Sequence, residues 1–107
     1  MADRAVIELV RRYLTALWEN GIEAEKAVLF GSQARGDARP DSDIDILVLA
    51  DEFDRDRWGK ESELWRLTLK ADSRIQPIPA GVKQFLDDDT SPVIAIARRE
   101  GLEIRRN

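Results

Sequence analysis

The sequence predicts an α/β or α+β domain, because segments with helical and strand patterns alternate along it. Apolar residues recur at helical spacing near both ends of the chain, and short β-branched runs lie between these segments. The chain has 107 residues, 43% of them hydrophobic, which is enough for one core of ordinary domain size. We therefore expect residues 1–107 to form a single domain.

The first predicted element is an amphipathic helix. Its apolar stripe recurs every three or four residues and comprises Val6, Leu9, Val10, Tyr13, Leu14 and Leu17. Asp3 stands where an N-cap residue is expected, and Asn20-Gly21 supplies a stop signal.

Two strands are predicted next. Residues 27–30 form a short apolar run that Gly31 ends, and residues 43–49 form the strongest strand pattern in the chain. The polar residues 31–42 between them are predicted to form a loop, or a turn that leads into a short helix.

The second half of the chain begins with a charged connector at residues 51–57. A helix is predicted over residues 58–69, with Leu64 and Leu67 widening an apolar face made of Trp58, Ser62, Trp65 and Leu69. Residues 74–79 are predicted to be a third strand, and its two prolines favour an edge position.

The last elements are short. Residues 81–86 are predicted to be helical, and the aspartate run at residues 87–89 is predicted to be a solvated turn. Ser91-Pro92 is typical of an N-cap followed by proline at the first helical position, and Gly101 ends the helix that follows. Residues 102–104 are predicted to add a final strand.

Composition limits the chemistry that is available. There are no histidines and no cysteines, which excludes serine–histidine and cysteine–histidine hydrolases and thiolate-bound zinc. Carboxylates, hydroxyls, amines and guanidinium groups remain, and these favour hard, oxygen-preferring cations if a metal is used. The net charge of −4 argues against sequence-independent binding to nucleic acid, and so does the interleaving of the arginines with acidic residues. With no apolar signal segment and no run of about 20 apolar residues, a cytoplasmic protein without a membrane span is expected.

One stretch combines two features that suit phosphate chemistry. Gly31-Ser32 ends a strand, where glycine allows a close approach to backbone N–H groups and serine adds a hydroxyl donor. Asp43 and Asp45 stand two residues apart at the start of the next strand, so that their side chains project from the same face. Two such carboxylates repel each other unless a cation lies between them, and Mg²⁺ is commonly bound in this way together with substrate phosphates.

Simpler interpretations remain open for these residues. Asp43 and Asp45 could be a polar strand start, and Gly31 a common strand-ending glycine. A P-loop is excluded because Asp37 and Ala38 replace the required lysine and serine or threonine, and a calcium loop is excluded because Ile46 replaces the required glycine.

The spacing Gly-Ser, ten residues, Asp-x-Asp resembles the signature of the DNA polymerase beta-like nucleotidyltransferase superfamily, over roughly residues 29–49. The flanking residues are similar to the small prokaryotic branch, the minimal nucleotidyltransferases. This resemblance implies a mixed sheet flanked by helices and transfer of a nucleoside monophosphate from a nucleoside triphosphate such as ATP to a protein or small-molecule acceptor. It implies that Gly31 and Ser32 hold triphosphate oxygens and that Asp43 and Asp45 bind Mg²⁺ or Mn²⁺. Arg35 is placed to assist with phosphate, or else is a solvated loop residue.

The resemblance also implies a partner. Family members of this size often pair, as antitoxins, with a helical toxin of the HEPN type, and some adenylylate that partner. Because a minimal catalytic domain has no second lobe to bind an acceptor, we expect a homodimer or a heteromeric complex.

The sequence departs from the family pattern at one position. The family places a third carboxylate on a neighbouring strand, and Gln76 is the residue that matches it here. An amide can ligate Mg²⁺ weakly but cannot act as a general base. Asp72 could substitute only if the third strand began earlier than predicted. An alternative is therefore a partner-binding antitoxin module with weakened or absent turnover.

Three tryptophans lie on apolar helical stripes, so Trp18, Trp58 and Trp65 are predicted to pack in the core. Trp58 and Trp65, one heptad apart, could instead face a partner, because a chain of this length has little interior.

Overall fold

A computed structural model describes residues 2–106 of the chain. Its helices are α1 (Arg4–Glu19), α2 (Ser32–Arg35), α3 (Glu52–Arg55), α4 (Glu61–Leu67), α5 (Val82–Asp87) and α6 (Pro92–Glu100), with a 3-10 turn at Thr68–Lys70. Its strands are β1 (Lys26–Phe30), β2 (Ile44–Leu49), β3 (Ile75–Ala80) and β4 (Leu102–Ile104).

The four strands form one mixed sheet in the order β3-β2-β1-β4. Strand β1 is antiparallel to both β2 and β4, whereas β2 and β3 are parallel. The predicted mixed α+β architecture is confirmed. The edge position of β3 is confirmed as well, because Pro77 and Pro79 cannot donate backbone hydrogen bonds to a further strand.

Helices cover both faces of the sheet, because β1 and β2 are apolar on both sides and alternate strand residues point to opposite faces. On one face α1, α3 and α4 pack over Ala27, Leu29, Ile44, Ile46, Val48 and Ile75. On the other face α5 and α6 pack over Val28, Phe30, Leu47, Leu49 and Ala80. Asp45 has the strand parity of Leu47 and Leu49, which places it on the α5–α6 face.

The predicted ends of the long helices are confirmed. The Asp3 side chain accepts a hydrogen bond from the Ala5 amide, and α1 ends at Glu19, directly before Asn20 and Gly21. Ser91 caps α6 by accepting from the Ile94 amide, with Pro92 at the first position and Gly101 after the last. These local signals are strong because each one satisfies or removes an otherwise unpaired backbone group.

The predicted helix over residues 58–69 is wrong in extent and orientation. Helix α4 begins only at Glu61, and the buried positions are Leu64 and Leu67, whereas Trp58 is 52% exposed and Trp65 is 42% exposed. The face containing Leu64 packs into the core formed by α1 and the sheet, and the buried Tyr13 hydroxyl donates to the Leu64 backbone carbonyl at 2.6 Å. The charged connector also contains a short helix, α3, which buries Phe53.

The prediction that Trp18 packs in the core is only partly correct, because Trp18 lies at the margin of the core. Its indole N–H donates to the Ala24 carbonyl at 2.7 Å, and the Arg106 guanidinium lies 4.3 Å from the ring centroid. Both contacts use polar or electrostatic properties of the indole that a fully apolar environment would leave unsatisfied.

Between residues 2 and 106, no helix has both the length and the apolar character that crossing a membrane requires.

Candidate active site

The turn from β1 into α2 approaches β2 very closely. Gly31 has φ 77° and ψ −155°, a conformation that other residues rarely adopt, and its carbonyl accepts hydrogen bonds from the Ala34 and Arg35 amides. A Cβ atom at Gly31 would lie only 2.8 Å from Asp45 Oδ2. The backbone of the Gly31-Ser32 turn therefore lies directly against the second carboxylate of the Asp43-Ile44-Asp45 segment.

The two aspartates lie at the start of the central strand β2. Asp45 is half-buried and pairs with Phe30 of β1, while Asp43 immediately precedes the strand. Burial, and to a lesser degree the negative charge of Asp43, raise the pKa of the Asp45 carboxyl above its ordinary value. Among residues 2–106, no hydrogen-bond donor or cation pairs with either side chain.

This donor set fits a divalent cation. Two carboxylates on one side of a strand supply the hard oxygen ligands that Mg²⁺ prefers. Burial and then the Asp43 charge raise the pKa of Asp45, and a cation would offset both effects. Asp43 and Asp45 are the residues that would hold it.

Gln76 lies on β3, the strand next to the one that carries Asp45. In the parallel register of β2 and β3 it is the direct partner of Asp45, and it is half-buried. Asp72 is not an alternative, because β3 begins at Ile75 and the Asp72 carboxylate is bound by the Arg74 guanidinium at 3.1 Å. Within the described part of the chain, no group of three or more acidic side chains is arranged to hold a metal. The site therefore contains a pair of carboxylates with an amide beside it.

Arg35, at the end of α2, faces acidic side chains. Its Nε lies 3.3 Å from Asp37 Oδ2, and its Nη1 lies 3.2 Å from Glu100 Oε1. The side chain is half-exposed, so that its guanidinium is near both the Gly31-Ser32 turn and solvent.

Glu100 is a site residue that the sequence analysis missed. It is the last residue of α6, and its Oε1 accepts hydrogen bonds from the Gly31 amide at 3.1 Å and from Arg35. Glu100 lies 69 residues from Gly31, and nothing in its local sequence indicates this contact.

Gln33 is a second missed residue, and it fixes the loop between α2 and β2. It is buried although polar, and its side-chain amide donates to the Ser42 carbonyl at 3.3 Å. The Ser42 hydroxyl in turn accepts from the Arg39 amide at 2.8 Å. These bonds position the residues that lead directly into Asp43.

A cavity of about 350 Å³ opens beside the same loop, on the side of α1. It is lined by Gln33, Arg39 and Arg74 among others, and neither Asp43 nor Asp45 lines it. The candidate site is therefore the carboxylate pair and not this cavity, because chemistry depends on the reactive groups more than on volume.

Similarity to known proteins identifies the family and the fold of the chain. The family described as "Nucleotidyltransferase domain" matches residues 7–96. A proposed nucleotidyltransferase from Sulfolobus solfataricus has a similar fold, with a TM-score of 0.64 and 16% identity over 92% of this chain and 78% of that one. A chain from a toxin–antitoxin complex solved with AMP-PNP is also similar, with a TM-score of 0.59 and 24% identity over 92% of this chain and 73% of that one. No curated protein matches the sequence.

The two structural likenesses establish the fold, and the family match spans both the Gly31-Ser32 turn and the Asp43–Asp45 pair. The chain belongs to the nucleotidyltransferase domain family.

Proposed function

We propose that this protein is a metal-dependent nucleotidyltransferase that transfers a nucleoside monophosphate from a nucleoside triphosphate, ATP in the first instance, to a protein or small-molecule acceptor. The observation that carries the proposal is the close approach of the Gly31 backbone to Asp45. A Cβ atom built on Gly31 would lie 2.8 Å from Asp45 Oδ2. A phosphate held at this turn would lie beside the residues suited to hold Mg²⁺ or Mn²⁺.

Each residue has a distinct role in this proposal. Gly31 and Ser32 bind triphosphate oxygens through the backbone and the hydroxyl, Arg35 adds a positive charge, and Asp43 and Asp45 hold the metal. The bound cation would supply charge neutralisation at the phosphate oxygens. In the transfer an acceptor hydroxyl oxygen forms a bond to the α-phosphorus and releases its proton to solvent water. The bond from that phosphorus to the bridging oxygen breaks, and pyrophosphate leaves.

Binding of ATP, measured by calorimetry with and without Mg²⁺, tests the metal clamp. We expect Asp43→Ala and Asp45→Ala each to abolish the Mg²⁺-dependent part of ATP binding while the protein stays folded. Asp41→Ala is the matched control, because Asp41 is an exposed aspartate of the same loop that lies outside the pair. Wild-type affinity in the double variant Asp43→Ala/Asp45→Ala would refute this role for the carboxylates.

Gln76 favours a second candidate function, an antitoxin module that binds a partner and turns over slowly or not at all. It stands beside Asp45 in the sheet, where a third carboxylate would otherwise activate the acceptor hydroxyl. Labelled ATP, a divalent cation and candidate acceptors distinguish the two functions. Efficient label transfer by the wild-type protein excludes the inactive module, whereas transfer only by Gln76→Glu supports it.

A partner protein belongs to the proposal as well. The similarity to a chain of a toxin–antitoxin complex supports an antitoxin role, with a helical HEPN-type toxin as the expected partner and a homodimer as the other possible assembly. The exposed Trp58 and Trp65 are consistent with such a surface. Co-purification from native extract, mass spectrometry of the associated chains and light scattering test these expectations. A strictly monomeric protein without an associated chain would contradict them.

A further inference from the structure

The Glu100 carboxylate occupies two of the groups that the proposed function assigns to phosphate. Its Oε1 accepts the backbone N–H of Gly31 at 3.1 Å and a guanidinium N–H of Arg35 at 3.2 Å. A backbone amide and a guanidinium are typical donors to phosphate oxygens. An anionic oxygen supplied by the protein thus lies at the turn where an anionic oxygen of the substrate is expected.

The location of Glu100 is electrostatically unfavourable apart from these two contacts. It is the last residue of α6, at the helix end where exposed carbonyl groups disfavour negative charge. The donors from Gly31 and Arg35 offset that cost. The side chain is also able to leave, because it is 22% exposed and is attached through flexible torsions.

We infer that Glu100 is an internal competitor of the triphosphate, which binds the Gly31 amide and Arg35 in the free protein and is displaced into solvent when a nucleotide binds. The inference rests on the proposed function. The Gly31 amide has a single hydrogen, so a carboxylate oxygen and a phosphate oxygen cannot both accept it at full strength. Charge repulsion between Glu100 and the phosphates makes simultaneous occupation still less favourable.

A supporting role for Glu100 would change the nucleotide affinity in the opposite direction. If Glu100 holds Arg35 and the turn in the conformation that binds nucleotide, removal of its carboxylate weakens binding. If it competes with the triphosphate, removal of its carboxylate strengthens binding, because the nucleotide no longer displaces a charged hydrogen-bond acceptor.

The experiment compares the dissociation constants of ATP in the presence of Mg²⁺ for the wild type, Glu100→Gln and Glu100→Ala. We expect both variants to bind about three- to tenfold more tightly, the range that corresponds to one lost intramolecular hydrogen bond. Glu103→Gln is the matched control. It removes the same charge from a nearby glutamate, which pairs with Lys26 at 3.0 Å and does not contact the turn, and it should change the affinity less than twofold.

A second readout reports on the contact itself. The Gly31 amide resonance of the free protein should shift in Glu100→Gln, and inorganic triphosphate should also bind more tightly to this variant, since the competition concerns phosphate and not the base. Melting curves confirm that each variant is folded.

The possible outcomes distinguish failure of the Glu100 competition from failure of the proposed function. Wild-type or weaker ATP binding by both Glu100 variants would overturn the competition while leaving the proposed function intact. An equal gain in Glu103→Gln would also overturn it, because general electrostatics would then explain the effect. Absence of ATP binding in every variant, the wild type included, would refute the proposed function and the inference together.

Discussion

At the scale of single residues, the candidate site depends on how closely a backbone can approach a carboxylate. Gly31 has a positive φ and leaves no room for a side chain against Asp45. Asp45 in turn has a raised pKa because burial and Asp43 both disfavour its ionised form. A backbone conformation restricted to glycine and a destabilised charge, placed side by side, are typical of a site selected for binding and not for stability.

The first prediction concerns Gly31. Gly31→Ala should lower the free energy of unfolding by on the order of 1–3 kcal/mol, because alanine is strained at this φ and ψ. It should also abolish ATP binding, because the new methyl group displaces Asp45. Gly21→Ala is the control, since Gly21 has φ 84° with no atom within 4 Å of its Cβ position. Chemical denaturation and calorimetry measure the two effects, and retained ATP binding in Gly31→Ala would contradict the assigned role.

The second prediction concerns the charge of Asp45. Because its pKa is raised in the folded protein, the ionised side chain lowers stability above that pKa, and this penalty disappears as the pH falls below the ordinary value of 3.8. Asp45→Asn should therefore raise the melting temperature of the free protein at pH 7, and the two melting temperatures should converge in acid.

Magnesium should stabilise the wild type relative to Asp45→Asn. Millimolar Mg²⁺ is expected to raise the melting temperature of the wild type but not that of Asp45→Asn, because only the carboxylate pair binds the ion. Thermal melts at several pH values, with Mg²⁺ and with NaCl at matched ionic strength, make the comparison. A variant less stable than the wild type at pH 7 would show that Asp45 has a structural partner in place of a metal.

At the scale of elements, the register of β2 against β3 decides the composition of the site. The pairing of Asp45 with Gln76 follows from the alignment of whole strands, and a shift of one residue would point Gln76 to the opposite face. Beyond the sheet, α5 is held in place by a residue from another element. Asp54 of α3 accepts hydrogen bonds from the Lys83 and Gln84 amides at 3.0 Å, in the way that an N-cap does.

The third prediction tests this contact between elements. Asp54→Ala should lower the free energy of unfolding by about 1 kcal/mol, since two amides at the start of α5 lose their acceptor. Asp51→Ala is the control, because Asp51 occupies the cap position of α3 without a side-chain capping bond and should change stability much less. Urea denaturation measures both variants, and equal effects would indicate that Asp54 acts only through its charge.

At the scale of the whole molecule, the sheet separates two apolar cores and leaves some large side chains outside both. Leu69 is 76% exposed, and Trp58 and Trp65 are also exposed large hydrophobics, while the neighbouring Leu64 and Leu67 are fully buried. One set of apolar side chains therefore supports the fold, and the other set lies exposed on the surface.

The fourth prediction compares an exposed apolar side chain with a buried one. Leu69→Ser should change the free energy of unfolding by less than about 0.5 kcal/mol. Leu67→Ala, two positions earlier, should cost about 2–5 kcal/mol because it creates a cavity in the core. Denaturation curves of the two variants test the assignment of faces, and a large loss in Leu69→Ser would show that Leu69 supports the fold after all.

Sequence alone predicted most of the fold. The strands, the caps at Asp3 and Ser91, the edge position of β3 and the mixed architecture followed from local patterns that each have a local physical cause. The orientation of α4 did not follow, because its leucines and tryptophans are equally apolar. Packing against α1 and the sheet determines which face becomes buried.

The candidate site likewise depends partly on local sequence and partly on packing. The sequence predicted the candidate residues, since the spacing from Gly31-Ser32 to Asp43 and Asp45 is local and the alternation of strand side chains is fixed. Tertiary structure decided what surrounds them. Gln76 stands beside Asp45 through strand register, and Glu100 reaches the Gly31 amide through the packing of α6 on the sheet. Contacts between residues far apart in the chain depend on how elements pack, and no pattern within one segment encodes that packing.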